Sequence, residues 1–177
     1  MAKQVETTYG DALLQLAIEE GKLDSLYEEA QSLVEVLKNN EELIQILNHP
    51  QIDKEEKKKL IENIFADRLS KDMIGLLLLL VEKDHSAQTK KVLEYFIRQV
   101  KKEKNIGVAS VVSAITLTDS QKMAIKNRLI ETTSYDSMEI SYDTDKSLIG
   151  GLVIRIEDRV VDSSIKTKIE KMSQSLV

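Results

Sequence analysis

The chain predicts an α+β protein, an N-terminal six-helix bundle followed by a small β-α-β-β-α domain. Three observations carry this. Up to about Lys104, apolar residues recur at i, i+3, i+4 and i+7, the period of amphipathic helices. Past Asn105-Ile106-Gly107 the β-branched residues begin to alternate with polar ones, and the switch follows a lysine-rich segment. Near the end, Gly150-Gly151 leads into Leu152, Ile154 and Ile156 alternating with Val153, Arg155 and Glu157, the pattern of a strand with two unlike faces. The boundary is therefore expected near residue 105, with one domain over 1–105 and a second over 106–177.

Helix one is expected from Val5 to Glu20. Val5, Tyr9, Ala12, Leu13, Leu16 and Ala17 form its stripe, and Leu14 and Ile18 widen the apolar arc beyond one core contact. Gly21 suits its C-terminal cap. Helix two carries Leu23, Leu26, Tyr27, Ala30, Leu33, Val34 and Leu37. Asn39-Asn40 ends it, and a short helix with Leu43, Ile44 and Leu47 follows. His49-Pro50 breaks the pattern. Asp53 with Glu56 resembles a capping box for helix four, which is expected to bury Leu60, Ile61, Ile64 and Phe65. Ser70 can cap helix five, Met73 to Val81, which is apolar all round and so is central or covered by something else. Helix six, from Ser86 to Lys104, turns Val92, Leu93, Phe96, Ile97 and Val100 inward.

The second domain opens with a mostly buried strand from Val108 to Ile115. Thr118-Asp-Ser-Gln121 is a capping box opening a helix through Met123, Ile125, Leu129 and Ile130. Met138, Ile140 and Tyr142 alternate with Glu139, Ser141 and Asp143 in a second strand. After the Gly-Gly strand, Glu157-Asp158-Arg159 is a polar turn into a short strand. Asp162 suits a helix N-cap ahead of Ile165, Ile169, Met172 and Leu176.

Composition narrows the function. With 25 basic against 30 acidic residues the net charge is −5, so the chain lacks the basic stripe that phosphate binding requires. There is no cysteine, which excludes disulfides, thiolate metal sites and a cysteine nucleophile. His49 and His85 are the only histidines and share no metal-ligand spacing. Gly150-Gly151 precedes a strand, not the Lys-(Ser/Thr) and helix start of a phosphate loop, so these glycines are read as a structural turn. No catalytic, cofactor-binding or metal residue is expected. The run from Met73 to Val81 would span only about 13 Å as a helix, and a bilayer needs about 20 residues. The N-terminus has no apolar signal core, so the chain is expected to be soluble and to meet a membrane only through partners.

Three segments, in order, carry a resemblance. Tyr9-Gly-Asp-Ala-Leu-Leu-Gln-Leu-Ala17 is similar to a Tyr-Ala-x-Ala-Leu helix. Val111-Val-Ser-Ala-Ile-Thr-Leu-Thr118 is similar to a Val-x-Ser-Ala-x-x-Leu-(Thr/Ser) strand and cap. Asp145 to Ile165 carries Asp-x-Ser-(Leu/Val)-Ile-Gly-Gly, then Ile-Arg, then Val-x-Asp-x-Ser. Together they resemble the delta subunit of F-type ATP synthases, counterpart of the mitochondrial oligomycin-sensitivity-conferral protein. The chain departs from the family at Gly10 and Ser163, where Ala and Gly are usual, and at His85, where Arg is common. Gly10 is expected to weaken helix one by up to ~1 kcal/mol.

The resemblance implies a non-catalytic stator connector at the cytoplasmic face of the bacterial plasma membrane. Its helical domain would bind the N-terminal helix of an alpha subunit on the catalytic head. Its α/β domain would bind the b subunits of the peripheral stalk. Since helices one and five carry excess apolar surface, Tyr9, Ala12, Leu13 and Leu16 with Gly75, Leu76, Leu79 and Leu80 are the expected alpha-binding residues, Gly75 permitting close backbone approach. A generic soluble adaptor with a helix-binding groove is the alternative.

Overall fold

A computed structural model describes residues 2–174. The fold mixes helix and sheet, and the chain divides into two compact units, 1–100 and 101–177.

The first unit contains α1 (Ala2–Glu19), α2 (Leu23–Asn39), α3 (Glu41–Asn48), α4 (Lys54–Phe65) and α5 (Lys71–Glu82), and α6 (Thr89–Glu103) begins in it. Local chemistry sets the ends. Gly21 takes φ +65°, and the Gly21 and Lys22 N–H groups donate to the Ile18 and Ala17 carbonyls at 3.2 and 2.9 Å, a Schellman motif that stops α1. Asp53 caps α4 by accepting the Lys54 N–H at 2.8 Å, not the N–H of Glu56 as a capping box would. Ser70 Oγ accepts the Met73 N–H at 3.3 Å to cap α5. Helix six starts later than its pattern suggests, because Ser86–Gln88 forms a 3₁₀ turn first. Leu26, Leu33, Ile61, Met73, Leu80, Leu93 and Phe96 are fully buried in one continuous core, each contributing about 1.5–3 kcal/mol by removal from water. Ile64, expected in that core, is exposed instead.

The second unit holds β1 (Ile106–Ser113), α7 (Asp119–Thr132), β2 (Ser137–Thr144), β3 (Leu152–Ile156), β4 (Arg159–Asp162) and α8 (Ile165–Gln174). The β-α-β-β-α layout lacks one strand: the short segment after the Glu157-Asp158 turn pairs antiparallel with β3 and becomes β4. The sheet order is β2-β1-β3-β4, with β1 and β2 parallel and the other pairs antiparallel. Right-handed β1-α7-β2 connection would be the ordinary consequence of a parallel pair joined by a helix. Thr118 and Gln121 form the expected capping box of α7. Leu129, Ala109 and Met138 make a small core between α7 and the sheet, joined by Ile125, Ile140, Ile154 and Ile156.

Gly151 takes φ +82°, and a Cβ there would strike the Ser163 carbonyl oxygen. A Cβ on Gly150 would meet Ile165. The pair is a backbone device that brings the chain past the start of α8, and the Ile165 N–H donates to the Gly150 carbonyl at 2.9 Å. The N-cap of α8 is Ser164, not Asp162. Ser164 Oγ accepts the Thr167 N–H at 3.2 Å, while Asp162 braces that cap from two residues earlier. Leu176, assigned to the α8 stripe, lies outside the described residues.

Candidate functional site

The expected docking residues fall on two helices that are tied at two places. At one end the Lys22 ammonium, just past α1, donates to Asp72 in the first turn of α5 at 2.9 Å. At the other, the Tyr9 ring meets His85, just past α5, edge-on with centroids 5.9 Å apart. The end of α1 thus lies by the start of α5, and the middle of α1 by the end of α5, so the helices run antiparallel. Glu20 and Asp72 raise the pKa of Lys22, by hydrogen bonding to its ammonium.

Each helix carries one row of interest. At about 100° per residue, Val5, Tyr9, Ala12 and Leu16 line up along α1, and Asp72, Leu76, Leu79 and Lys83 line up along α5. Both rows share the spacing i, i+4, i+7, i+11. The α1 row is apolar throughout. The α5 row is apolar in the middle and charged at both ends.

Burial separates the candidates. Leu80 (0%), Leu13 (5%) and Leu76 (8%) belong to the core, the last at its edge. Tyr9 and Leu16 are half-buried, so Leu13 lies deeper than Leu16. Ala12 and Gly75 are exposed, and Leu79 leaves 41% of its surface open. Among these candidates the open apolar surface is therefore carried by Tyr9, Ala12, Leu16, Gly75 and Leu79. The helix-five pattern concealed this, because a segment apolar on every side marks no face.

Gly75 is informative by what surrounds it. A glycine inside a helix costs about 1 kcal/mol relative to alanine. A Cβ at Gly75 would meet nothing within 4 Å, so packing within the unit does not require glycine there. Gly10 is the opposite case. A Cβ on Gly10 would run into the Cδ1 edge of the Tyr95 ring of α6. The Tyr95 hydroxyl donates to Asp11 at 2.9 Å and Arg98 sits 5.7 Å from the ring centroid. Asp11 pushes the Tyr95 hydroxyl pKa up. The departure from Ala at position 10 thus seats an aromatic ring, which a sequence without its partner position in view does not disclose.

Other charged groups act as ties. Lys54 donates to Asp84 at 2.6 Å and to the Glu82 carbonyl at 2.8 Å, drawing α4 to the end of α5 and lowering the Asp84 pKa. His49 Nδ1 accepts the Gln51 N–H at 3.3 Å in its turn. Among the described residues no group of three His, Asp or Glu side chains is placed to hold a metal, and no helix is long and apolar enough to cross a membrane.

Exposed apolar side chains of this sort suit a protein that binds other proteins. Comparison with known proteins identifies which kind. The family model for the ATP synthase delta (OSCP) subunit matches residues 5–176. The ATP synthase subunit delta of Lachnoclostridium phytofermentans is 46% identical over 176 residues, covering 99% of this chain and 97% of that protein. The ATP synthase subunit delta of Prochlorococcus marinus strain MIT 9301 is 31% identical over 176 residues, covering 99% and 98%. Among solved structures, a chain of the Toxoplasma gondii mitochondrial ATP synthase hexamer has the same fold, with a TM-score of 0.78 over 97% of this chain and 96% of that one at 19% identity. The chain belongs to the ATP synthase delta (OSCP) subunit family. This is a family of structural subunits, and the chain is not an enzyme.

Proposed function

We propose that this chain is the stator connector of an F-type ATP synthase. Its helical unit, a six-helix bundle, docks on the N-terminal helix of an alpha subunit. Its α/β unit holds the b subunits of the peripheral stalk. The connector keeps the catalytic head from turning with the central rotor, so that proton-driven rotation is spent on ATP synthesis. The complex holds the chain peripherally at the cytoplasmic face of the bacterial plasma membrane. The observation that carries this reading is the end-to-end match to a delta subunit at 46% identity, which takes in both units.

The alpha-subunit helix is expected along the seam between α1 and α5. An amphipathic helix recognises such a surface through anchors at i, i+3, i+4 and i+7. The bare backbone at Gly75 lets it approach closely beside Leu79, and Tyr9, Ala12 and Leu16 form the opposite bank. Leu13, Leu76 and Leu80 support the banks from the core.

Calorimetric titration of an alpha N-terminal peptide into the full chain tests this. Leu79→Asp should leave the fold intact and abolish binding, since a carboxylate pressed against an apolar helix costs several kcal/mol. Unchanged binding by the folded variant rejects the seam. Capture on the tagged chain from native membranes should return alpha and b subunits together. Capture of other proteins without them would favour the generic adaptor.

A further inference from the structure

The last helix of the second unit carries an apolar stripe that its own unit leaves largely uncovered. Ile165, Ile169 and Met172 of α8 are spaced by four and three residues, the d, a and d positions of a heptad written abcdefg. Ile169 and Met172 are 53% and 65% exposed, and Ile165 reaches Gly150 yet keeps 43% of its surface open. The helix is fastened from the side away from the stripe. Thr167, at the f position, is half-buried. Its hydroxyl donates to Asp162 at 2.6 Å and its N–H donates to Ser164 Oγ at 3.2 Å.

The borders of the stripe are basic. In the same register the e and g positions beside Ile165 and Ile169 fall on Lys166 and Lys168, one on each side. Both side chains are exposed. Glu170, the one acidic residue of α8, falls at b, outside both borders. Such a rim is a local feature, since the chain as a whole carries a net charge of −5.

We propose that this face of α8 takes an amphipathic helix of the b subunits, one whose own apolar stripe is bordered by carboxylates. The inference deepens the connector reading and rests on it for the identity of the partner. An apolar a/d stripe is complementary to a second helix, whose side chains interlock with it as knobs into holes. The e and g positions decide which helix is accepted. Lys166 and Lys168 therefore select Glu or Asp at the facing e and g positions of the partner. A second copy of α8 is the wrong occupant, because it would bring like charges to the same seam.

The test titrates isotopically labelled full-length chain with a capped three-heptad helical peptide, followed by amide NMR. The peptide has leucine at a and d and glutamate at e and g. Saturable shifts should appear over residues 165–174. The same peptide with lysine at e and g should bind about tenfold more weakly. Joint Lys166→Glu and Lys168→Glu should reverse that preference. Ile169→Glu should weaken the glutamate peptide about tenfold, while Ile115→Glu, exposed in the same unit but outside α8, should not.

Capture from native membranes separates this site from the reading beneath it. Ile169→Glu should keep the alpha subunits and lose the b subunits. The proposal is overturned by no saturable shift at millimolar peptide, by equal binding of the lysine peptide, or by undiminished capture of b on Ile169→Glu. Any of these leaves the connector reading standing if the unaltered chain still captures alpha and b. Shifts of α8 with phosphatidylglycerol vesicles but not with the glutamate peptide would assign the stripe to a lipid surface and equally overturn it. Failure of the unaltered chain to capture alpha and b would instead reject the connector reading, and with it the partner named here.

Discussion

The α5 helix carries apolar residues at nearly every position of its central run, yet one edge of it is open at Gly75 and Leu79. The α8 helix carries a regular i, i+4, i+7 stripe of the kind that ordinarily marks a core face, yet Ile165, Ile169 and Met172 are all exposed. Periodicity reports that a face is apolar. It does not report what covers that face. In α5 the covering is mostly internal, because α2 and α4 pack against it. In α8 the packing is with the short turn at Lys146–Leu148 and, through Ile165, with Gly150 after it, and the rest of the stripe is open. A wide apolar arc and a narrow one can thus each leave surface for a partner.

The strongest way to break this comparison is to truncate adjacent leucines of α5. Leu80→Ala removes a side chain with no exposed surface and should cost about 2–5 kcal/mol. Leu79→Ala, one residue away on the open edge, should cost well under half of that. Guanidinium unfolding of the two variants measures both. Equal losses would mean that Leu79 is core and that α5 has no open edge.

The two helical glycines give the next largest contrast. Gly10→Ala puts a methyl group into the Tyr95 ring, and overpacking of this kind costs about 1–3 kcal/mol, more than the helix-propensity gain of ~1 kcal/mol. Gly75→Ala meets no neighbour and should stabilise by up to ~1 kcal/mol while weakening the alpha peptide. Thermal melts should therefore move in opposite directions. If both variants gain stability, Tyr95 swings aside easily and Gly10 is not a seat.

These contrasts also mark what was legible beforehand. The stop at Gly21, the cap at Ser70 and the capping box at Thr118 and Gln121 were readable, because each is decided within a few residues by local hydrogen bonding. The apolar excess of α1 and α5 was readable for the same reason, since it is a property of one segment. The division between Leu79 and Leu80 was not, since neighbouring leucines differ only in what lies across from them. Tyr95 lies far along the chain from Gly10, so its contact left no mark at position 10. Strand order left none either, and so the open edge of β2 was hidden while its alternation was plain. Ser164 displaced Asp162 as the cap because the chain stays extended two residues longer, through β4 and past Gly151.

On the α8 side, Ile169→Ser should change stability by less than about 0.5 kcal/mol, as a substitution on an exposed surface does. A loss of several kcal/mol in urea unfolding would place the stripe in a core and end the contrast with α5.

The smallest expected effect concerns how α8 begins. The Thr167 hydroxyl donates to Asp162 Oδ2 at 2.6 Å, and the Ser164 N–H donates to Oδ1 at 2.8 Å. Both bonds favour the charged carboxylate and hold its pKa at about 2, below the usual value of about 3.9. A carboxyl depressed in the folded state stabilises fully above its unfolded pKa. It loses that contribution as pH falls from about 4 through about 2, where folded Asp162 takes up its proton. Across neutral and mildly acidic pH the α8 cap should therefore not change. The Asp162 carboxyl carbon should titrate with a midpoint near pH 2, and the Ser164 and Thr167 amide shifts should follow it. Because the carboxyl is solvent-exposed, global stability should hardly respond. A midpoint near 4 would mean that the brace is absent in solution and that Ser164 caps α8 alone.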